Sequence, residues 1–205
     1  MCEVFVVGIG PGDRDYILPK AVKVMNRSDV VLGFKRALSS IDFIDVPKME
    51  VNKLKEIISI INSKDYKVVS IVASGDPMFY GIAEYLGKNY SGNIEVVPGI
   101  SSFQYMMPKI GKSWQNAYLG SLHGRDMNII DTVKQNKISI WLTDDNNSPN
   151  RICSILFENK IESKVYIGEN LSYENESITS GYPDRLKNLK FSGLSVVVIE
   201  NLDIQ

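Results

Sequence analysis

The sequence predicts an α/β fold, with a mostly parallel sheet in the N-terminal part and a mixed sheet in the C-terminal part. Three observations predict it. Short, β-branched apolar runs alternate with helical apolar stripes, as in strand–helix–strand units around a parallel sheet. Three of these runs end in glycine-containing turns that open helices. In the second half the strands have closer, hairpin-like spacing, which favours a mixed sheet.

Residues 3–13 are predicted to form a buried strand that runs directly into a glycine-rich turn. The run Val4–Val7 is short, β-branched and stopped by a glycine, as expected for a strand covered on both faces. The turn has three glycines within five residues. They allow the backbone to approach a ligand with no Cβ in the way. The alternative is a tight strand-to-helix connection without a ligand.

The first turn departs from the known nucleotide-binding patterns. The fingerprint G-x-G-x-x-G needs a glycine where this chain has Asp13, and Pro11 lacks the N–H that would donate to a pyrophosphate. The acidic residue of that pattern ends the second strand, whereas Asp29 precedes it. The interpretation of the chain as a nucleotide-binding module is therefore weakened.

Apolar periodicity defines the other N-terminal elements. A helix over residues 16–27 carries Asp13 and Asp15 at its positive end. A later helix has Asp76 as its expected N-cap and Pro77 at its first position. The further predicted elements are strands at 30–33, 43–46, 67–73 and 94–97, a short helical segment from Phe34, and helices over 54–61 and 101–108.

Residues 108–115 contain Pro, Gly, Lys and Ser and are predicted to connect two domains, at 1–110 and 111–205. In the second domain, Ser148 and Pro149 begin a helix. The further elements are strands at 116–120, 138–142, 164–168, 176–179 and 194–199, and helices near 128–135 and at 183–189. Because ligands of open α/β sheets bind outside the carboxyl ends of the strands, we expect the three glycine turns to gather on one rim.

Composition and charge exclude several classes of protein. The formal net charge is −1 without a basic tract, so we expect no nucleic-acid partner. No apolar run approaches the about 20 residues of a membrane span, and the N-terminus lacks a signal-peptide pattern. We therefore expect a cytoplasmic protein with no membrane partner. Cys2 and Cys153 have only His123 as a companion, which favours reduced, buried thiols and no metal site.

The three turns, in this order and at this spacing, resemble those of the tetrapyrrole (corrin and porphyrin) methyltransferase family. Their sequences are GIGPGD at 8–13, SGDPMFYG at 74–81 and VPGISS at 97–102. Ser121–Arg125 and Gly168–Glu176 are similar to motifs of the branch that methylates carbon 5 of the corrin ring. The likeness covers essentially the whole chain. This chain departs from the family pattern at Arg14-Asp15 and at Pro19, which do not belong to the expected cleft.

This resemblance implies two α/β domains of the tetrapyrrole methylase fold, with S-adenosyl-L-methionine in the cleft between them, and usually a homodimer. It implies conversion of cobalt-precorrin-6B to cobalt-precorrin-7 in cobalamin biosynthesis, with carbon-15 methylation and decarboxylation left to a separate partner enzyme. Other substrates within the family are another corrin position, a modified histidine of a translation factor, or ribosomal RNA. The alternative from a different functional class is a nucleotide-binding module without methyl transfer. The cofactor contacts it implies are Ile9, Pro11, Gly12, Gly75, Asp76, Phe79, Tyr80, Gly81, Ser101, Ser102, Leu142 and Thr143.

Two residues of the second half are the expected catalytic residues. His123, the only histidine, is able to take the proton lost after methylation or to bind a carboxylate, and its alternative is an ordinary loop histidine. Arg125 is suited to pairing with an acetate or propionate arm of the corrin. Glu169 and Asn170 are candidates for the cleft. Further candidates for the carboxylate arms, with a solvated surface role as the alternative, are Lys35, Arg36, Lys109 and Lys112.

Overall fold

The computed structural model describes residues 2–63, 65–122 and 128–204, and the fold is α/β as predicted. The chain divides into two compact units, Met1–Ser102 and Phe103–Gln205. Each unit contains one five-stranded sheet. In the part of the chain described, no helix is long and apolar enough to cross a membrane.

The strands of the first unit are β1 (Glu3–Gly8), β2 (Val30–Gly33), β3 (Lys48–Glu50), β4 (Val68–Ala73) and β5 (Ile94–Val97), and its helices are α1 (Pro19–Asn26), α2 (Lys35–Ser39), α3 (Leu54–Ser63) and α4 (Ile82–Asn89). The sheet is parallel throughout, in the strand order β3-β2-β4-β1-β5. Side chains of β1 alternate between two apolar cores, one with α1 and α2 and the other with α3 and α4. Both faces of β1 are therefore covered, as its continuous apolar run predicts.

The first helix begins later than predicted, at Pro19 instead of residue 16. Residues Arg14–Tyr16 form a separate 3₁₀ turn, in which the Asp13 carboxylate accepts the backbone N–H of Asp15 at 2.8 Å. Leu18 is extended because the ring of a following proline disfavours the helical conformation. Asp13 and Asp15 therefore belong to the 3₁₀ turn and not to the positive end of α1.

Two further predictions for the first unit were wrong. The strand expected at 43–46 lies instead at 48–50, because Ile44 is buried as a loop residue in the core beside α1 and α2. The helix expected after Asp76 begins only at Ile82, with Gly81 as its N-cap. Tyr80 explains the delay, since its φ of 51° is incompatible with a right-handed helix.

The strands of the second unit are β6 (Tyr118–Ser121), β7 (Ile138–Leu142), β8 (Ser163–Glu169), β9 (Ser177–Gly181) and β10 (Ser195–Asn201), and its helices are α5 (Ser102–Lys109), α6 (Ile129–Gln135), α7 (Pro149–Glu158) and α8 (Pro183–Leu186). They form the mixed sheet that the sequence predicts, in the order β6-β7-β10-β8-β9. β6 is parallel to β7, and the other neighbours are antiparallel. Trp141, Val165 and Val197 are fully buried in its core.

Smaller differences concern caps and cysteines. Ser148 precedes α7 as predicted, but its side chain makes no capping bond, and α8 ends at Leu186 instead of residue 189. Both cysteines are free thiols. Cys153 is buried, and burial raises the pKa of its thiol to about 12. Cys2 is only partly buried, which corrects the expectation of a buried thiol.

Candidate active site

The three glycine turns meet at the carboxyl edge of the first sheet, as the sequence predicts. The turns after β1 and β4 are joined by an isolated antiparallel bridge between Gly10 and Gly75, in which the Gly75 N–H donates to the Gly10 carbonyl oxygen at 2.7 Å. The turn after β5 joins them through the Gly99 N–H, which donates to Asp76 Oδ2 at 3.1 Å. The neighbouring order β4-β1-β5 places all three strand ends side by side.

Glycine is required where these turns touch, because the contacts are between backbones. A Cβ added to Gly99 would lie well within the van der Waals contact distance of the Gly75 carbonyl oxygen and 2.9 Å from the Gly8 Cα. A Cβ on Gly8 would lie 2.5 Å from the Gly99 nitrogen. Gly75 itself has a φ of 68°, which side chains rarely adopt. No side chain can therefore separate the three turns.

Asp76 cross-links two of the turns and does not cap α4 as predicted. Its Oδ1 accepts the Met78 N–H at 2.8 Å, and its Oδ2 accepts the Gly99 N–H at 3.1 Å. Hydrogen bonds to a carboxylate are stronger than those to a neutral acceptor. Asp76 is therefore a positioning residue, which fixes the turn after β4 against the turn after β5.

Two aromatic residues follow the cross-link. The rings of Phe79 and Tyr80 meet edge to face, with centroids 5.0 Å apart. Tyr80 is 39% exposed and has a left-handed backbone, a conformation that costs about 1–3 kcal/mol and is concentrated at functional sites. The structure thus presents an aromatic ring to solvent beside the turns, as the predicted contact with an adenine or corrin ring requires.

The chemical character of the turns fits a sulfonium cofactor. None of the three turns contains Lys, Arg or His. A cation beside a positively charged sulfur would oppose binding, whereas carbonyl oxygens and hydroxyls stabilise it. Ser101, which is buried, lies beside Gly75, since its Cα would be 3.7 Å from a Cβ added there. The first-unit residues predicted to contact the cofactor all lie on these turns: Ile9, Pro11, Gly12, Gly75, Asp76, Phe79, Tyr80, Gly81, Ser101 and Ser102.

The second-unit residues predicted for the site are placed only in part. Leu142 ends β7, and the Thr143 hydroxyl after it is buried and donates to the Ser195 carbonyl oxygen at 2.8 Å. That donor is therefore used inside the second unit. The predicted catalytic residues His123 and Arg125 lie outside the described residues.

The loop after β8 is held by its own polar side chains. Glu169 Oε1 accepts the Ser192 N–H at 2.7 Å, and Asn170 Oδ1 accepts from the Ser192 hydroxyl at 3.0 Å. Asn170 and Ser172 both have positive φ, of 46° and 67°. The side chains of Glu169 and Asn170, which were candidates for the cleft, thus anchor this loop to the segment before β10.

Lys109 and Lys112 are committed to ion pairs within the second unit. Lys109 Nζ lies 2.8 Å from Glu176 Oε1, and the second oxygen of Glu176 accepts the Ser172 N–H at 2.6 Å. Lys112 Nζ lies 2.7 Å from Glu200 Oε1. Sequence reasoning missed these pairs, because the partners are 67 and 88 residues apart. Neither lysine is a free cation for a substrate.

These pairs shift the pKa values of the carboxyls and the amines in opposite directions. Burial alone would raise the pKa of Glu176, but hydrogen bonds from Lys109, Tyr105 and Ser172 outweigh it and lower the pKa below its usual 4.5. The bond from Lys112 likewise lowers the pKa of Glu200, and the same bonds raise the pKa of both lysines. A carboxyl with a depressed pKa stabilises the fold fully above its unfolded value of 4.5. That contribution is lost as the pH falls through the lower folded value.

We therefore expect Glu176→Gln to lower the free energy of unfolding by about 1–2 kcal/mol at pH 7, because it removes a charged partner from a half-exposed pair. The difference from the parent should shrink as the pH falls below 4.5. Urea unfolding at pH 7 and pH 3.5 measures both. Glu174→Gln, at an exposed position two residues earlier, is the matched control and should change little. A difference that is the same at both pH values would contradict this account.

A groove of about 670 Å³ lies at the other end of the second sheet. It is formed where β8 begins and β10 ends, at the pair Ser163 and Asn201. Thr143 bonds instead to Ser195, which pairs with Glu169 at the opposite end of the same strands. Phe157, Tyr182 and Leu202 line the groove, and it does not belong to the candidate active site.

Comparison with known proteins agrees with the geometry of the turns. Residues 3–186 match the family described as Tetrapyrrole (Corrin/Porphyrin) Methylases. The chain belongs to this family. Tetrapyrrole methylases use S-adenosylmethionine as methyl donor, so the chain is an S-adenosylmethionine-dependent methyltransferase. The turns at the carboxyl edge of the first sheet agree with that cofactor in their lack of cations and in their close backbone packing.

Three tetrapyrrole methylases illustrate the likeness. A probable cobalt-precorrin-7 C(5)-methyltransferase of Methanocaldococcus jannaschii is 35% identical, covering 96% of this chain and 97% of the relative. A precorrin-6Y methylase structure from Archaeoglobus fulgidus has a TM-score of 0.74 at 21% identity, covering 97% of both chains. A uroporphyrin-III C-methyl transferase from Thermus thermophilus, complexed with S-adenosyl homocysteine, has a TM-score of 0.80 at 18% identity, covering 97% of this chain and 92% of that one. The two structures support the fold.

Proposed function

We propose that this chain methylates carbon 5 of a cobalt-precorrin, converting cobalt-precorrin-6B to cobalt-precorrin-7 in cobalamin biosynthesis. The observation that carries the proposal is the full-length similarity to the relative named for this position, at 35% identity over 96% of the chain. A shared activity that depends on the whole chain is better supported by such coverage than by any one turn. The proposed setting is the cytoplasm, with the chain as a homodimer and a separate enzyme acting at carbon 15.

The residues of the three turns would hold S-adenosylmethionine and orient it. When bound, this cofactor supplies an electrophilic methyl group on a sulfonium. Backbone groups around Pro11, Gly12 and Gly75 and the hydroxyl of Ser101 offer neutral contacts, which do not oppose the positive charge. Holding two reactants in line contributes about 7–11 kcal/mol in favourable systems, so a rigid cradle is the main catalytic contribution of these residues.

The proposed roles of the second half concern the substrate. His123 would accept the proton that leaves the ring carbon after methylation, and Arg125 would bind a carboxylate arm. Leu142 and Thr143 would complete the cofactor contacts, with Thr143 contributing backbone groups because its hydroxyl proton is donated to Ser195. Substituting His123 should lower kcat, and substituting Arg125 should mainly raise the KM for the corrin.

The proposal is tested by incubating cobalt-precorrin-6B with methyl-labelled S-adenosylmethionine, with and without the protein. Mass spectrometry counts the methyl groups gained, and carbon-13 NMR locates the label. One labelled methyl at carbon 5 is the expected result. A label at another ring carbon would replace the proposal with methylation of that corrin position. If S-adenosylmethionine binds but cobalt-precorrin-6B is not methylated, the proposed substrate is wrong, and the alternatives are another corrin, the modified histidine of a translation factor and ribosomal RNA.

A further inference from the structure

The first unit has a pair of basic residues that the methyl transfer itself does not use. Of the four basic residues considered for the carboxylate arms of a corrin, Lys109 and Lys112 are paired with glutamates. Lys35 and Arg36, in contrast, make no ion pair with any residue among those the structure describes. Both are exposed. Two adjacent cations therefore remain available for an anionic ligand.

The sheet places this pair at the same edge as the candidate active site. β2 is parallel to β4, and the register of Leu32 with Ile71 sets Gly33 beside Val72. β2 thus ends one residue short of the level at which β4 ends, and α2 starts there. The turn that carries Gly75 follows β4 immediately. Phe34, Lys35 and Arg36, here called the β2 rim, consequently lie next to the cofactor turns along the carboxyl edge of one sheet.

The β2 rim is held on a packed base. Ala37 is 4% exposed and Leu38 packs against the core beside α1, so the following turn of α2 is fixed. Phe34 precedes the helix in an extended conformation and is 40% exposed. The rim thus combines a partly exposed aromatic ring with two adjacent cations that have no ion-pair partner among the described residues. It suits a ligand with an apolar face and acidic substituents.

Resting on the proposed function, we propose that the β2 rim is the corrin-docking edge of the first unit: Lys35 and Arg36 bind carboxylate arms of the substrate, and Phe34 packs against its ring. A cobalt-precorrin combines a flat, largely apolar macrocycle with acetate and propionate arms. The Arg36 guanidinium matches a carboxylate with two parallel donors, and Lys35 adds a point charge. The rim sets the position and orientation of the ring, and the cofactor turns remain free of cations.

The test is the double variant Lys35→Glu/Arg36→Glu. We expect its KM for cobalt-precorrin-6B to rise at least about tenfold, because two attractive contacts become repulsive, with kcat changed less than about twofold. The affinity for S-adenosyl homocysteine and the melting temperature should not change. Lys67→Glu, an exposed lysine at the amino end of β4, is the charge control and should leave the KM and the S-adenosyl homocysteine affinity at the parental level. Phe34→Ala should raise the same KM by about fivefold.

A second measurement separates this inference from the proposed reaction. Equilibrium binding of a fully carboxylated, non-reactive corrin to the protein with S-adenosyl homocysteine reports docking alone. Weaker binding by the double variant, with a flatter dependence on salt than the parent, supports the inference even if carbon 5 is not the position methylated. Equal corrin binding by parent and double variant overturns it. A parallel loss of S-adenosyl homocysteine affinity or of melting temperature also overturns it, because the rim would then be structural.

Discussion

Replacing Gly99 with alanine is expected to weaken S-adenosylmethionine binding and to lower the rate of methyl transfer about a hundredfold, because a misplacement of about 1 Å in an active site can slow a reaction by that factor. The new Cβ would overlap the Gly75 carbonyl oxygen and lie 2.9 Å from the Gly8 Cα. Both are backbone atoms, one in the turn after β4 and the other at the end of β1, so the turn after β5 has to move away from them. Overpacking of this kind also lowers the free energy of unfolding, here by about 3 kcal/mol. Calorimetric titration with S-adenosyl homocysteine measures the affinity, transfer of a labelled methyl group measures the rate, and urea unfolding measures the stability.

Gly87→Ala is the matched control, because the same methyl group is added where there is space. Gly87 lies within α4, and a Cβ there would meet no atom within 4 Å. Alanine is the better helix former by about 1 kcal/mol, so this variant should be slightly more stable than the parent and bind cofactor equally well. Parental affinity in Gly99→Ala would show that contact between the three turns is not what shapes the site.

Asp76→Asn should lower the free energy of unfolding by about 2 kcal/mol and cofactor affinity about tenfold, the size expected for a lost bond to a charged group. The carboxylate uses one oxygen for the Met78 N–H and the other for the Gly99 N–H. An asparagine has only one oxygen, so its NH₂ group would face one of these donors. The turn after β5 is then no longer fastened to the turn after β4.

Asp29→Asn provides a control with the same change in charge. Asp29 also joins two segments, but its Oδ2 alone accepts both the Lys67 and Val68 N–H groups, at 2.7 and 2.8 Å. The single oxygen of asparagine can keep both bonds. Asp29 also lies at the opposite end of the strands from the turns. This variant should therefore retain parental cofactor affinity. If both variants lose affinity equally, the two-oxygen cross-link of Asp76 is not the cause.

Much of the fold was predictable because it rests on local patterns. β1, β4 and β5 are apolar runs closed by glycines, and each strand lies within about a residue of its expected position. The meeting of their turns followed from the parallel sheet alone. Periodicity also identified α3 and the mixed character of the second sheet.

What the sequence did not show depends on contacts between distant segments. The run at 43–46 looks like a strand, but Ile44 is drawn into the core as a loop residue, and the true strand Lys48–Glu50 has almost no apolar signal. Asp76 followed by Pro77 has the local signature of a helix start. Its carboxylate instead accepts the N–H of Gly99, 23 residues later.

The candidate site was predictable to different degrees in its two halves. The part formed by backbone groups could be predicted, because the glycines of the three turns indicate that the backbone approaches another group closely. The cationic part was not, since the same residue type serves two purposes: Lys109 is bound by Glu176, whereas Lys35 is unpaired within the described residues. Only three-dimensional pairing distinguishes them.

The strand order of the first unit also bears on synthesis at the ribosome. β1 is made first, yet both of its neighbours come much later, with Glu3 beside Val68 and Val4 beside Ile94. At about 5–20 residues per second, this apolar strand waits roughly 3 to 12 s for β4 to emerge. Until then its two open edges can pair with strands of other chains. The nascent chain should therefore depend on chaperones that bind apolar segments.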